Sequence, residues 1–259
     1  MKLIPLCTFS DNYIWLIHEN GQAIVVDPGD SMPVFQVLRA LQLDLVSIFI
    51  THEHHDHTAG VVSLVKETGA QVYAPKHSKF PFLCQRVGEG DSVPFFGEVA
   101  NVMEIPGHTQ SHIGFFVDRL VALANEGPVL FCGDTLFSVG CGRLFDGTAH
   151  QLERSLLRLA ALPADTLVYC AHEYTQQNIQ FALKVDPGNL DLLKYAKQVD
   201  ALRAKNLATI PSTIGLERLV NPFLRTRQDA IQSAVFNYNG KLTANIGVFA
   251  VLRKWKNEG

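Results

Sequence analysis

Two short runs rich in β-branched and aromatic residues, 13–18 and 22–26, flank Glu19-Asn20-Gly21. Asn-Gly readily takes the positive φ angles of a tight turn, so the pattern predicts an antiparallel hairpin. After Asp27-Pro28-Gly29 the period lengthens. Val34, Val37, Leu38 and Leu41 share one helical face, with Pro33 in the first turn and Ser31 as the expected cap. Leu45 to Ile50 then reads as a buried strand, and residues 59–68 as a helix stopped by Gly69. Strand patterns recur at 71–74, 99–105, 113–117, 129–132 and 166–170, with a helix capped at Thr148 and carrying Leu152, Leu156 and Leu159 before the last of them. Interleaved strands and helices argue for an α/β architecture. The pattern changes near residue 173. From there 174–185, 189–204, 227–237 and 243–256 all carry helical signals, Asp186-Pro187-Gly188 separating the first two. The expected organisation is therefore an α/β domain over 1–173 and a smaller, mostly helical one over 174–259.

Composition narrows the possibilities. With 259 residues, 47% hydrophobic and 18% charged, the chain can bury a sizeable core and is neither disordered nor fibrous. Its apolar runs, such as 45–50 and 248–252, fall far short of the roughly 20 residues a spanning helix needs. A formal net charge of −3 gives no electrostatic case for nucleic acid. At the N-terminus Ser10-Asp11-Asn12 arrives too early for a secretory signal, and five cysteines without a CxxC pair read as reduced thiols. A cytoplasmic protein is expected.

The chemistry lies in the histidines. Four of the ten fall within the six positions 52–57, in Thr51-His52-Glu53-His54-His55-Asp56-His57. The cluster follows a predicted strand and precedes a helix, where open α/β sheets place their ligands. In extended chain His52 and His54 point toward one centre, while Asp56 and His57, where the turn tightens, face a second. Other strand ends add one candidate each: His108 after 99–105, Asp134 after 129–132, and His172 after 166–170. Singly, each reads as a structural or capping residue; together they supply the seven ligands two metals need, with Asp134 as the natural bridge. Imidazole with carboxylate suits Zn, Fe or Mn, and a bound divalent ion lowers the pKa of water from about 15.7 toward about 7. His18, His77 and His150 fit no such pattern; His55 and His112 neighbour the ligand motifs and are read as facing away.

These residues resemble the metallo-β-lactamase superfamily, whose HxHxDH motif stands here as His52, His54, Asp56 and His57. Within it the chain is similar to the hydroxyacylglutathione hydrolases, or glyoxalase II, over essentially its whole length. The stretches that carry the likeness are Asp11-Asn12-Tyr13, Val26-Asp27-Pro28-Gly29, Gly133-Asp134-Thr135-Leu136-Phe137, Gly140-Cys141-Gly142-Arg143 and Ala171-His172-Glu173-Tyr174-Thr175.

The resemblance implies an αββα sandwich with a helical C-terminal domain that binds substrate. It implies two divalent metal ions, one held by His52, His54 and His108, the other by Asp56, His57 and His172, with Asp134 between them. It also implies hydrolysis of S-D-lactoylglutathione, the glutathione half being held by Arg143, Tyr174, Arg253 and Lys256. Asp56 and Asp134 take the catalytic roles. Arg253 and Lys256, three residues apart on one helix, would turn both cations to one face. The same two residues would also suit a solvated basic helix end. Two departures stand out: Phe145 occupies a position where some members carry tyrosine, and the tail reads Arg253-Lys254-Trp255-Lys256 in place of a run of alternating basic and acidic residues. The alternative on the same fold is a persulfide dioxygenase-type oxidoreductase. The expected partner is a small glutathione thioester, with neither nucleic acid nor membrane, and the expected state is a monomer.

Overall fold

A computed structural model of the chain describes residues 1–120, 127–239 and 247–259. Its contacts divide into two units: Met1–Ile105, Ser111–Gly133 and Leu167–His172 form the first, and Pro106–Gln110, Asp134–Thr166 and Glu173–Gly259 the second.

The first unit is built on two sheets. One runs β1 (Lys2–Thr8), β2 (Asn12–Glu19), β3 (Gln22–Val26), β4 (Asp44–Phe49), β5 (Gln71–Pro75) and β6 (Gln85–Val87), in that spatial order. The β1–β2–β3 part is antiparallel, and Asn20 and Gly21 both take positive φ in the predicted hairpin turn. From β3 onward the strands are parallel, with helices linking β3 to β4 and β4 to β5. The linking helices are α1 (Ser31–Leu41), α2 (His55–Thr58) and α3 (Val61–Thr68). The other sheet contains β7 (Ser92–Phe95), β8 (Glu98–Glu104), β9 (Ile113–Leu120) and β10 (Gly127–Gly133). The chain then passes through a hairpin of β11 (Leu136–Phe137) and β12 (Gly140–Cys141) in the second unit, and returns as β13 (Leu167–Cys170), parallel to β10.

Period-two alternation explains the layering. Ile14, Leu16, Val25, Ile48 and Ile50 turn to one face of the first sheet and pack with Val34 and Leu38 of α1 and Val61 and Leu64 of α3. The opposite face meets the second sheet: Phe49 stacks on Phe115 at 4.8 Å and stands edge-on to Phe95 at 5.9 Å. Trp15 meets Tyr169 edge-on at 4.8 Å and donates its Nε1–H to the Cys170 carbonyl. Each such large side chain, fully buried, contributes about 1.5–3 kcal/mol.

Several sequence expectations are corrected in detail. Asp30, not Ser31, caps α1, its carboxylate accepting from Met32 N–H; a cap must itself stand outside the helix, and Ser31 is already helical. Leu41, placed on the buried face by its period, is 47% exposed because the helix ends there. The helix expected over 59–68 is α3, which starts at Val61, and a separate short helix, α2, precedes it. Gly60 lies between them, where a Cβ would stand 2.6 Å from the Pro28 carbonyl oxygen. β1 has no clear strand signature because Pro5 breaks its pattern, which an edge strand tolerates.

The second unit is mainly helical. It holds α4 (Ala149–Ala160), opened by a capping box of Thr148 and Gln151, then α5 (Thr175–Val185), α6 (Leu190–Arg203), α7 (Ile214–Val220), α8 (Asp229–Asn239) and α9 (Val248–Glu258). One of its cores gathers Val139, Ile179, Ala182, Leu192, Tyr195, Val199 and Val220. The start of the last predicted helix, 243–246, lies outside the described residues. Among the described residues, no helix is long and apolar enough to cross a membrane.

Candidate metal centre

In the first unit the cluster at the end of β4 is fixed by carboxylates from two other strand ends. Asp27, just past β3, is buried; one oxygen accepts from Thr51 N–H at 2.8 Å, the other from Thr51 Oγ1 at 2.7 Å and lies 3.0 Å from His57 Nδ1. Asp11, before β2, lies 2.8 Å from His172 Nδ1. A carboxylate that accepts the Nδ1 proton fixes the ring's tautomer and leaves Nε2 as the ligand nitrogen. Those two Nε2 atoms, of His57 and His172, each stand 3.5 Å from Asp56 Oδ2, and Asn12 Nδ2 donates to the same oxygen at 2.9 Å. Asp56, His57 and His172 bring one ligand atom each to within 4.8 Å of one another.

His52 is anchored by the same logic. Thr51 Oγ1 gives its proton to Asp27, so toward His52 Nδ1, 3.0 Å away, it acts as acceptor. The Nε2 lone pair of His52 then faces His54 Nδ1 at 3.0 Å. The His112 ring stacks on His52 at 4.6 Å, 20° from parallel, and backs it. Gly133 makes room for this: its φ is +48°, and a Cβ there would lie 2.3 Å from Thr51 Oγ1 and 2.8 Å from the His112 ring. This donor set of imidazole and carboxylate, with several second ring nitrogens already held, fits a borderline divalent ion.

In the second unit the structure pairs His108 with Asp134, Nε2 to Oδ2 at 3.5 Å, while His108 Nδ1 lies 2.8 Å from the Arg143 carbonyl oxygen. Gly142 permits the approach, since a Cβ there would stand 2.0 Å from the Asp134 carbonyl oxygen. Phe145 sets its ring edge-on to His108 at 5.1 Å. Arg143 is exposed, and Tyr174 is half-buried with its ring edge-on to Phe137 at 5.1 Å.

Arg253 and Lys256 do share one face of α9, but their surroundings differ. Arg253 is buried, donating to the carbonyls of Cys141 at 2.8 Å and Gly142 at 3.4 Å and to Asn257 Oδ1 at 3.0 Å. Its guanidinium also lies 5.1 Å from the Phe223 ring centre. Lys256 is half-buried, donates to Asn178 Oδ1, and has its Nζ 5.8 Å from the same ring centre. Lost hydration, and then the positive charges of Arg253 and Arg143, push the Lys256 ammonium down to about 7.

Reasoning from sequence did not assign roles to Asp11, Asn12, Asp27 and Thr51, which orient the cluster, nor to His112. Two of the stretches carrying the resemblance contain Asp11, Asn12 and Asp27. A carboxylate at a second strand end beside a histidine-rich loop was the signal available.

The model described as Hydroxyacylglutathione hydrolase C-terminus matches residues 173–259, and that of the Metallo-beta-lactamase superfamily matches residues 7–172. The hydroxyacylglutathione hydrolase of Albidiferax ferrireducens is 47% identical over 258 residues, covering 100% of both chains. That of Aliivibrio salmonicida is 47% identical over 260 residues, covering 100% of this chain and 98% of its own. Among solved structures, ETHE1 from Myxococcus xanthus is similar with a TM-score of 0.67 at 25% identity, covering 100% of both chains. The fold is thus the metallo-β-lactamase fold followed by a helical C-terminal part, and the chain belongs to the hydroxyacylglutathione hydrolase family.

Proposed function

We propose that this protein hydrolyses S-D-lactoylglutathione and related S-2-hydroxyacylglutathiones to glutathione and the free 2-hydroxy acid, D-lactate in the first case, as the second step of methylglyoxal detoxification. The observation that carries this reading is the joining, in one chain, of a carboxylate-anchored imidazole cluster to a C-terminal part that matches the hydroxyacylglutathione hydrolase model throughout. Residues 1–173 form the hydrolytic part and 174–259 the part that selects glutathione. By the resemblance, His52, His54 and His108 would hold one ion and Asp56, His57 and His172 the other, with Asp134 as a further ligand. The ions are zinc by preference, with iron or manganese as alternatives. Bound there, they supply a lowered pKa for water and polarisation of the thioester carbonyl.

The chain's own groups do the rest. Asp56, oriented by Asn12, directs the attacking water and accepts its proton. Arg143 and Lys256 meet the carboxylates of glutathione, and Tyr174 its peptide. Arg253, whose donors largely serve backbone carbonyls, adds positive field beneath them. The departing thiolate is a good leaving group because its conjugate acid has a pKa of about 8.5. All these residues come from one chain, so a monomer suffices, and five free cysteines suit a reducing cytoplasm.

The test is kcat/KM of the metal-loaded protein for S-D-lactoylglutathione beside the same acyl group on coenzyme A. A strong preference for the glutathione ester is expected. Equal cleavage would remove the glutathione assignment of the C-terminal residues, and cleavage of neither would overturn the hydrolase reading and direct attention to oxygen consumption.

A further inference from the structure

Glu217, on α7, is fully buried, yet its carboxylate belongs to neither the imidazole cluster nor the basic face of α9. It faces the turn between β11 and β12. Its Oε2 accepts from Val139 N–H at 2.8 Å and from Asn221 Nδ2 at 2.9 Å. Val139 has φ +58°, a left-handed conformation that a β-branched residue adopts only when its surroundings impose it. Further donors crowd the same turn: Asn221 Nδ2 reaches the Gly140 carbonyl at 2.9 Å and Asn178 Nδ2 the Ser138 carbonyl at 2.8 Å. Asn178 fills the space above Gly140, where a Cβ would stand 2.5 Å from its Nδ2, and its Oδ1 accepts from Lys256. Two residues on come Cys141 and Gly142, whose carbonyls hold Arg253, and then Arg143, whose carbonyl holds His108.

We infer that Glu217 is a positioning residue for substrate binding: by accepting the Val139 N–H it pins this strained turn, and through the turn it sets Arg143, Arg253 and Lys256. Its carboxyl touches no substrate. The side chain's depth serves this role, because a pin must be rigid and shielded from competing water. Burial pushes the Glu217 carboxyl up, offset in part by the donors of Asn221 and Val139, and what its oxygen gives the turn is an acceptor for Val139 N–H. An amide oxygen should therefore substitute.

The role in binding rests on the glutathione reading above, whereas the pinning of Val139 does not, and the experiment separates them. Glu217→Met, which keeps volume and loses the acceptor, and Glu217→Gln, which keeps one acceptor, are made in the wild-type and Val139→Gly backgrounds. Glycine adopts positive φ unaided, so the pin becomes redundant there. Expected for Glu217→Met is a KM for S-D-lactoylglutathione raised about tenfold with kcat within about twofold. In the Val139→Gly background the same substitution should change KM by less than about twofold, and Glu217→Gln should lie near wild type in both. Hydrogen exchange at the Val139 amide is the readout independent of activity: fast in Glu217→Met, slow in wild type and Glu217→Gln. An equal KM effect in both backgrounds, or a protected Val139 amide without the acceptor, overturns the inference. A wild-type protein inert toward the ester sinks the functional reading, while the exchange data still decide the pin. If Glu217→Met fails to fold alone yet folds with Val139→Gly, the pin is upheld; if it folds in neither, Glu217 is simply structural and the inference falls.

Discussion

The imidazole cluster of the first unit and the basic face of α9 in the second hold their charged groups in opposite ways. In the first, imidazoles are tied by carboxylates: Asp27 on His57, Asp11 on His172, with Asp56 between the two Nε2 atoms. In the second, Arg253 and Lys256 of α9 meet neutral groups, the Cys141 and Gly142 carbonyls, Asn257 and Asn178. A site for metal ions gains from negative charge and from rings fixed with one lone pair forward. A site for an anionic ligand needs cations held in place without neutralisation, and amide and carbonyl oxygens do that because they accept hydrogen bonds without net charge. Glu217, a buried carboxylate of the second unit, accepts from Val139 N–H and Asn221 Nδ2.

The largest effects should break the first half of that contrast. His54→Ala or Asp134→Ala is expected to lower kcat by a factor on the order of 10³ or more, measured with metal content on the same preparations. Removing the ions with a chelator should abolish activity and re-addition restore it. Near-normal turnover in either variant would refute the ligand assignment.

Next comes Asp27, which the functional reading uses only as an anchor. Asp27→Ala leaves the Thr51 donors and His57 Nδ1 without their acceptor, a loss of about 1–3 kcal/mol for each buried group left unsatisfied. It should also weaken metal binding or activity about 10–100-fold, the usual cost of losing a residue behind a ligand. Asp27→Asn keeps one acceptor and should fall between. The comparison to make is metal affinity by competition with a chromophoric chelator, and no change in Asp27→Ala would show that the ring orientation is set elsewhere.

How far the sequence foretold this depends on the range of the interaction. The hairpin at Asn20-Gly21, the stop at Gly69 and the cap at Thr148 are local, written within a few residues, and they appear where the pattern puts them. The cluster at 52–57 was legible for the same reason. Asp11 and Asp27 were not assigned, because their partners His172 and His57 lie 161 and 30 positions away and no periodicity links them. The short α7, with its Thr213 cap and Glu217 on its buried face, is too brief for a helical period to mark it. The cap of α1 moved by a single residue, from Ser31 to Asp30, since two adjacent capping types cannot be ranked without the backbone angles. Arg253 and Lys256 illustrate the limit most plainly: their spacing puts both on one face, but only packing distinguishes the buried guanidinium from the half-buried ammonium.

That last distinction yields the smallest and sharpest prediction. Lys256→Met should raise KM for the glutathione ester about tenfold, the loss of one charge-assisted hydrogen bond of about 1.5–3 kcal/mol partly replaced by water, with kcat little changed. Its pH dependence is what identifies the residue. The ammonium is held down at about 7, so in the free protein the cation is present below that pH and lost above it. An anionic ligand favours the charged form and draws its pKa back up, so binding above pH 7 must take up a proton. KM for the wild-type protein should therefore climb as pH rises past 7, while that of Lys256→Met stays flat over the same range. Stability should respond in the opposite sense. A lysine whose pKa is lower in the folded chain than its unfolded value of about 10.5 burdens the fold most below pH 7 and least above 10. Lys256→Met should accordingly raise the denaturation midpoint more at pH 6 than at pH 10. A KM profile in Lys256→Met that still rises past pH 7 would assign the titration to another group and leave Arg143 as the cation that meets the ligand.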